Sequence, residues 1–287
     1  MPSSRSFAMK TRFAPSLSAL LAISAAWAHA QAPAPQGAVA GRATAHTEAS
    51  AQGVIAGAQL LLPANATGAS AYLGPLKDAP ATAHAKVPVV VFLHGSSGLG
   101  LEAIAQWQQW LGSLGIASLA PDSFALAERM TYQSPVGKDA YEKIHALRSS
   151  EIMLALDALR RLPWADTRRL VLAGTSEGAV AVARHGGDEF IGRIIFSWSC
   201  EDNYFVERAQ TAIRPAQPLL NVISAADPFF SPANAWLGNP AARGHCAQAF
   251  EDHPDASVVL LPGAPHTVLN LRAARQPVQA FLLDLFR

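Results

Sequence analysis

One five-residue stretch constrains the fold more than any other part of the chain. Ser176 stands at the centre of a G-x-S-x-G pattern, residues 174–178, which directly follows the apolar run 170–173. A strand that feeds a tight turn and then a helix places the serine hydroxyl at the apex, and the glycines allow close backbone packing there. The first free N–H groups of that helix face the same apex. The alternative is an ordinary strand–helix turn with an inert serine.

Apolar runs alternate with helical patterns from residue 87 onwards. Continuous apolar runs are typical of strands that are buried on both faces, and strands that alternate with helices predict a parallel sheet. We therefore predict an α/β fold with a doubly wound, mostly parallel sheet flanked by helices. The predicted strands are 87–93, 116–120, 170–173, 194–198, 219–223 and 258–261, and the predicted helices are 101–114, about 141–162 and about 271–286. Residues 53–62 are predicted as earlier strand material, and the short stretch 198–219 predicts no large lid domain.

The N-terminus has the pattern of a secretory signal peptide. Lys10 and Arg12 precede the uncharged apolar stretch 17–27, and residues 28–30 form an A-x-A cleavage site before Gln31. Met9 is an alternative start, and a retained N-terminal anchor is the alternative to cleavage. We expect a signal peptide over 1–30 and a periplasmic or secreted protein.

Composition divides the remainder of the chain into two parts. Residues 31–50 are rich in Ala, Pro, Gln and Gly without an apolar period, which predicts a flexible N-terminal segment. Residues 51–287 are predicted to form one catalytic domain. The whole chain has 22 Lys and Arg, of which three lie in 1–30, so 19 remain against 21 Asp and Glu. This balance offers no basic patch for nucleic acid, and no later segment is apolar enough to span a bilayer.

Cys200 and Cys246 are the only cysteines. Export places them in an oxidising compartment, where a disulfide is favoured over two free thiols, although buried thiols remain the alternative. Closing a loop of this length stabilises the fold by roughly 4 kcal/mol in the chain-entropy model. The spacing does not fit a zinc site.

Two further polar residues follow predicted strands downstream of Ser176. A serine needs a base to remove its proton, and the base needs an acid to fix its tautomer. Asp227 follows strand 219–223 and His266 follows strand 258–261, which gives the order Ser–Asp–His. Glu201 and Asp202 are competing acids after another strand, whereas His245 and His253 have the surroundings of surface residues. Asp227 as a simple turn former, and His266 as a plain loop residue, are the alternatives.

A developing oxyanion needs two N–H donors. One is expected from Glu177, the residue after the serine. The other is expected from Ser96 in the turn 94–98, because Gly95 and Gly98 allow this turn to bend toward the site. A Gly-rich loop with no special role is the alternative.

These motifs together resemble the α/β-hydrolase superfamily and, within it, the dienelactone hydrolase-like family. The resemblance covers about residue 53 to the C-terminus and includes Pro121, Asp122 and Arg129. It implies hydrolysis of esters or lactones without a cofactor, and a buried structural pair of Asp122 and Arg129, with substrate-carboxylate binding by Arg129 as the alternative. The founding members carry Cys at the nucleophile, whereas this chain has Ser176.

We therefore expect an exported serine hydrolase that uses Ser176, His266 and Asp227, without a metal, on a small-molecule ester or lactone. A non-catalytic binding protein and a peptidase on the same fold are the alternatives. The sequence leaves the acyl group, the leaving group and the oligomeric state open.

Overall fold

The computed structural model describes residues 36–81 and 83–287. The predicted signal peptide, its cleavage site and the alternative N-terminal anchor lie outside these residues. The strands are β1 (Val39–Ala40), β2 (Gln59–Leu62), β3 (Tyr72–Pro75), β4 (Val87–Leu93), β5 (Ala117–Ala120), β6 (Thr131–Tyr132), β7 (Ala165–Thr175), β8 (Gly192–Phe196), β9 (Leu219–Ser224) and β10 (Ala256–Leu261). The helices are α1 (Glu48–Ala56), α2 (Ala64–Thr67), α3 (Glu102–Ser113), α4 (Lys138–Leu159), α5 (Glu177–Arg184) and α6 (Arg272–Leu285).

Eight strands form the central sheet in the order β10-β9-β8-β7-β4-β5-β2-β3. The six strands from β10 to β5 run parallel to one another, whereas β2 is antiparallel to both β5 and β3. The predicted mostly parallel, doubly wound α/β sheet is confirmed. Ser176, Asp227 and His266 all come after the carboxyl ends of parallel strands, which is the edge where open α/β sheets bind ligands.

Alternation along β4 shows how the sheet is buried on both faces. Val89, Val91 and Leu93 pack into one apolar cluster with helices α4 and α5. Val90 and Phe92 pack into a second cluster with α3 and α6. Because successive side chains of a strand point to opposite faces, a continuous apolar run is what a strand between two helical layers requires.

The start of the described chain differs from the sequence expectation. Residues 36–50 were predicted to be flexible, but β1 pairs with β6 and Ala43 bridges to Arg129. Helix α1 begins after Thr47, whose side chain accepts a hydrogen bond from the Ser50 backbone in a capping box. Residues 53–56 are therefore helical, and only the later part of the predicted strand 53–62 becomes β2.

Cys200 and Cys246 form a disulfide, so the predicted bridge is confirmed and the free-thiol alternative is wrong. It joins the segment after β8 to the segment before β10, across the region that holds Asp227. Residues 197–218, all of them described, contain neither helix nor strand, in keeping with the predicted lack of a lid domain. None of the helices within 36–81 and 83–287 has the length and apolar character to cross a membrane.

Candidate active site

Ser176 occupies a strained turn between β7 and α5. Its φ of 53° and ψ of −117° lie where non-glycine residues are rare. Its backbone N–H donates to the Phe196 carbonyl at 3.0 Å, which ties the turn to the end of β8. The flanking glycines are required by packing, because a Cβ at Gly174 would lie 2.7 Å from the Gly178 carbonyl oxygen, and one at Gly178 would collide with the Leu93 carbonyl.

Asp227 and His266 are brought together by the loops that follow β9 and β10. The Nδ1 atom of His266 lies 2.7 Å from Asp227 Oδ2. The other carboxylate oxygen accepts the backbone N–H groups of Phe229 and Phe230 at 2.9 and 3.1 Å. Asp227 is fully buried, whereas the His266 side chain is 20% exposed. Asp227 therefore forms the turn before Phe229 and also orients the imidazole.

Two serine hydroxyls hold the loop that carries His266. Ser224 Oγ, at the end of β9, donates to the Ala264 carbonyl at 2.6 Å, and Ser197 Oγ, just after β8, donates to the His266 carbonyl. Neither serine belongs to the site residues predicted from the sequence. Ser224 directly follows the predicted strand 219–223, whereas Ser197 lies inside the predicted strand 194–198, so the two positions share no common sequence signal.

The two residues proposed as oxyanion donors lie beside the serine turn. A Cβ on Gly95 would be 3.3 Å from Ser176 Cβ, so the turn after β4 packs directly against the turn of Ser176. Glu177 is the first residue of α5, where its backbone N–H has no partner within the helix. The Ser176 backbone carbonyl accepts a hydrogen bond from the Ala179 backbone N–H at 3.0 Å, so it points along α5. The turn that carries Ser96 and the first residue of α5 thus both lie next to Ser176.

A cavity of about 140 Å³ connects these groups. Ser96, Ser176 and His266 all line it, although no hydrogen bond joins Ser176 Oγ to His266 within the part of the chain that the structure describes. Five aromatic residues form much of the wall: Tyr132, Tyr204, Phe205, Phe229 and Phe230. The Phe229 ring contacts His266 edge-on, with 4.6 Å between ring centroids. No Asp, Glu, Lys or Arg belongs to the lining formed by the described residues.

The competing acids have other partners. Glu201 accepts the backbone N–H groups of Arg243 and Gly244 at 2.7 and 2.8 Å. Asp202 accepts from Ala209, seven residues along the chain. Of the acids weighed from the sequence, Asp227 is the one in contact with His266.

Arg129 does not pair with Asp122, so that expectation is wrong. The Arg129 guanidinium binds the Glu177 carboxylate at 2.5 Å and donates to Ser123 Oγ at 2.7 Å. Asp122 instead accepts the Phe124 backbone N–H at 3.0 Å and caps its own short turn. The physical reason is burial: the Glu177 side chain is fully buried at the base of α5 and needs a cation there.

Tyr132 lines the cavity but is not among the site residues predicted from the sequence. Burial and the nearby charge of Glu177 raise the pKa of its phenol well above the usual value, so the hydroxyl stays protonated in the cavity wall. No local motif marks this residue, because strand β6 consists of only two residues and pairs with the N-terminal β1.

Comparison with known proteins identifies the fold. No protein-family model matches the chain, and no curated protein matches it. Among solved structures, a putative dienelactone hydrolase from Klebsiella pneumoniae matches with a TM-score of 0.51 at 16% identity, over 72% of this chain and 90% of that one. Est1E from Butyrivibrio proteoclasticus matches with a TM-score of 0.49 at 18% identity, over 80% of this chain and 93% of that one. At this identity the first of these matches supports the fold alone, which is the α/β-hydrolase fold.

Proposed function

We propose that this protein is an exported serine hydrolase of the dienelactone hydrolase-like family, which cleaves neutral carboxylic esters or lactones. The observation that carries the proposal is the 2.7 Å contact of Asp227 with His266, beside a cavity whose wall also holds Ser176 at a strained turn. A buried acid, an imidazole and an apical serine form the set that serine acyl transfer needs.

In the proposed mechanism, His266 Nε2 accepts the Ser176 proton as Oγ attacks the ester carbonyl. Asp227 holds the Nδ1–H tautomer and stabilises the imidazolium. The imidazolium then returns its proton to the leaving alkoxide, which leaves an acyl group on Ser176. Water, deprotonated by His266, hydrolyses that acyl group and restores the serine. The backbone N–H groups of Ser96 and Glu177 bind the oxyanion in both steps.

The lining of the cavity favours uncharged substrates. Aromatic rings and small polar residues form the wall, and Arg129, the cation considered for a substrate carboxylate, is bound to Glu177. Taking a carboxylate into such a site without a cation is costly. We therefore expect a neutral 4-nitrophenyl ester to have a higher kcat/KM than the matched ester with a free terminal carboxylate.

The nucleophile is tested by Ser176→Ala, with the exposed Ser113→Ala as a matched control. We expect the first change to reduce ester hydrolysis by a factor above about 10⁴ and the second to leave it unchanged. A Ser176→Ala protein with most of its activity would end the proposal. A panel of aryl esters, lactones and aminoacyl amides separates an esterase from the alternative peptidase. A protein that hydrolyses none of them would favour the non-catalytic alternative.

Export is part of the same proposal. The disulfide is compatible with an oxidising compartment. The signal-peptide pattern over 1–30 supports a mature N-terminus at Gln31, and we propose one catalytic domain that includes residues 51–287.

A further inference from the structure

A cluster of buried charges lies directly behind the proposed oxyanion site. Arg148 and Glu151 come from α4, and their side chains are fully buried with 2.8 Å between Nη1 and Oε2. Arg129 and Glu177 form a second buried pair, and Arg148 Nε lies 3.6 Å from Glu177 Oε1. Two positive and two negative groups therefore balance one another. Because buried ion pairs contribute little net stability compared with apolar packing, the cluster calls for a role beyond stability.

Arg148 contacts both segments that carry the proposed donors. Its Nη2 donates to the His94 carbonyl at 2.9 Å, and its Nη1 lies 3.3 Å from His94 Nε2. Its Nε faces the carboxylate of Glu177, whose own backbone N–H is the second proposed donor. One guanidinium thus bridges the turn after β4 and the first residue of α5.

The same contacts fix the direction of the Ser96 amide. His94 Nε2 accepts a hydrogen bond from the Ser123 backbone N–H at 3.2 Å and faces Arg148. The ring proton therefore lies on Nδ1, which donates to the Gly95 carbonyl at 2.7 Å. Burial, followed by the charge of Arg148, lowers the pKa of His94 well below its usual value and keeps the ring neutral. In a trans peptide the C=O and the following N–H point in opposite directions. The Ser96 N–H is therefore turned away from His94.

We infer that Arg148 is a positioning residue, which acts with the Glu177 carboxylate and His94 to hold the Ser96 and Glu177 amides in the geometry that binds an oxyanion. This inference rests on the proposed function. Arg148 itself touches no substrate, and its effect passes through the two backbone segments that it joins.

Arg148→Lys tests the inference because lysine keeps the charge but cannot reach His94 and Glu177 together. Arg193→Lys is the matched control. Arg193 is also fully buried and donates to the Phe190 and Gly187 carbonyls at 3.0 and 2.7 Å, near the start of β8 and away from the turn after β4. Both proteins are compared with the parent protein in kcat, KM and melting temperature, using a 4-nitrophenyl ester. Inhibition by a trifluoromethyl ketone, which forms an oxyanion on the serine, is the second readout.

We expect Arg148→Lys to lower kcat about 100-fold, the effect of losing one oxyanion donor, with KM changed less than about threefold because ground-state binding is untouched. Affinity for the ketone should fall by a similar factor. Arg193→Lys should lower the melting temperature but leave kcat and ketone affinity unchanged. If Arg148→Lys does not fold, Glu177→Gln provides a second comparison, since it keeps the shape but removes the charge that faces both Arg148 and Arg129.

An unchanged kcat in folded Arg148→Lys or Glu177→Gln, or an equal loss of kcat in Arg193→Lys, would overturn the inference. A loss that appears entirely in KM would do the same. Failure of the proposed function has a different signature, because the parent protein would then hydrolyse no ester, or Ser176→Ala would remain active.

Discussion

Acidification should destabilise the folded protein through a histidine that lies away from the proposed catalytic residues. His145 is fully buried in α4, stacked on Tyr141 with 6.4 Å between ring centroids and edge-on to Phe205 at 4.9 Å. Neither ring nitrogen has a hydrogen-bond partner in the described residues. Burial lowers the pKa of His145 from 6.5 to about 3, with the charges of Arg184 and Arg148 acting in the same direction and Glu142 opposing them.

The size of the effect follows from the two pKa values. Below pH 6.5 the unfolded chain binds a proton at His145, whereas the folded protein does not bind one until the pH approaches 3. The stability that depends on the neutral ring is therefore complete above pH 6.5 and is lost as the pH falls from 6.5 toward 3. At pH 5 the loss from this one residue is about 2 kcal/mol, since each pKa unit corresponds to about 1.36 kcal/mol.

Urea unfolding at pH 7.5 and pH 5.0, with the disulfide intact, measures this loss of stability directly. We compare how far the free energy of unfolding decreases from pH 7.5 to pH 5.0 in each protein. This decrease should be about 2 kcal/mol smaller in His145→Leu than in the parent protein. Any packing cost of leucine is present at both pH values and cancels in the difference. His84→Leu, which replaces an exposed histidine, is the control and should keep the parental pH dependence. If His145→Leu loses as much stability as the parent protein, the assignment of this proton to His145 is wrong.

Three further predictions concern the acid, the mature N-terminus and the disulfide. Asp227→Asn should lower kcat roughly 10⁴-fold, because the amide no longer selects the required His266 tautomer. Steady-state assays of Asp202→Asn and Glu201→Gln should show near-parental rates. A large loss of activity in either of these two variants would instead identify that residue as the acid. The exported protein should begin at Gln31 on N-terminal sequencing. Cys200 and Cys246 are 46 residues apart, and reduction of their disulfide should lower the free energy of unfolding by about 4 kcal/mol. Equal unfolding curves with and without reductant would contradict that value.

The parallel strands were predictable because burial on both faces leaves a direct mark on the sequence. Strand β4 matches the predicted run 87–93, since neither face admits a charged side chain. The N-terminal region left no such mark. Helix α1 has one buried residue, Val54, so its apolar period is weak, and the neighbouring Ile55 and Leu60 made the stretch resemble a strand. The signal that could have found the helix was Thr47 with Ser50 three residues later.

The relative placement of Ser176, Asp227 and His266 followed from topology, because residues after parallel strands meet at one edge of the sheet. Serines 197 and 224, which hold the His266 loop, could not be told apart from other serines, since their partners are backbone carbonyls that any loop provides. The sequence carries no information about which carbonyl a distant hydroxyl will reach.

The buried charges mark the physical limit of the sequence argument. Arg148 and Glu151 are three residues apart on α4, which from sequence alone is the pattern of an exposed surface pair. They face inward because their other partners, Glu177 and His46, come from the serine turn and from the N-terminal segment. A charged side chain can face the interior only when such partners are present. Whether they are present depends on contacts between segments that are far apart in the chain. Dependence on distant segments also explains the partner of Arg129. The resemblance pairs it with the nearby Asp122, but in the structure it pairs with Glu177, 48 residues away.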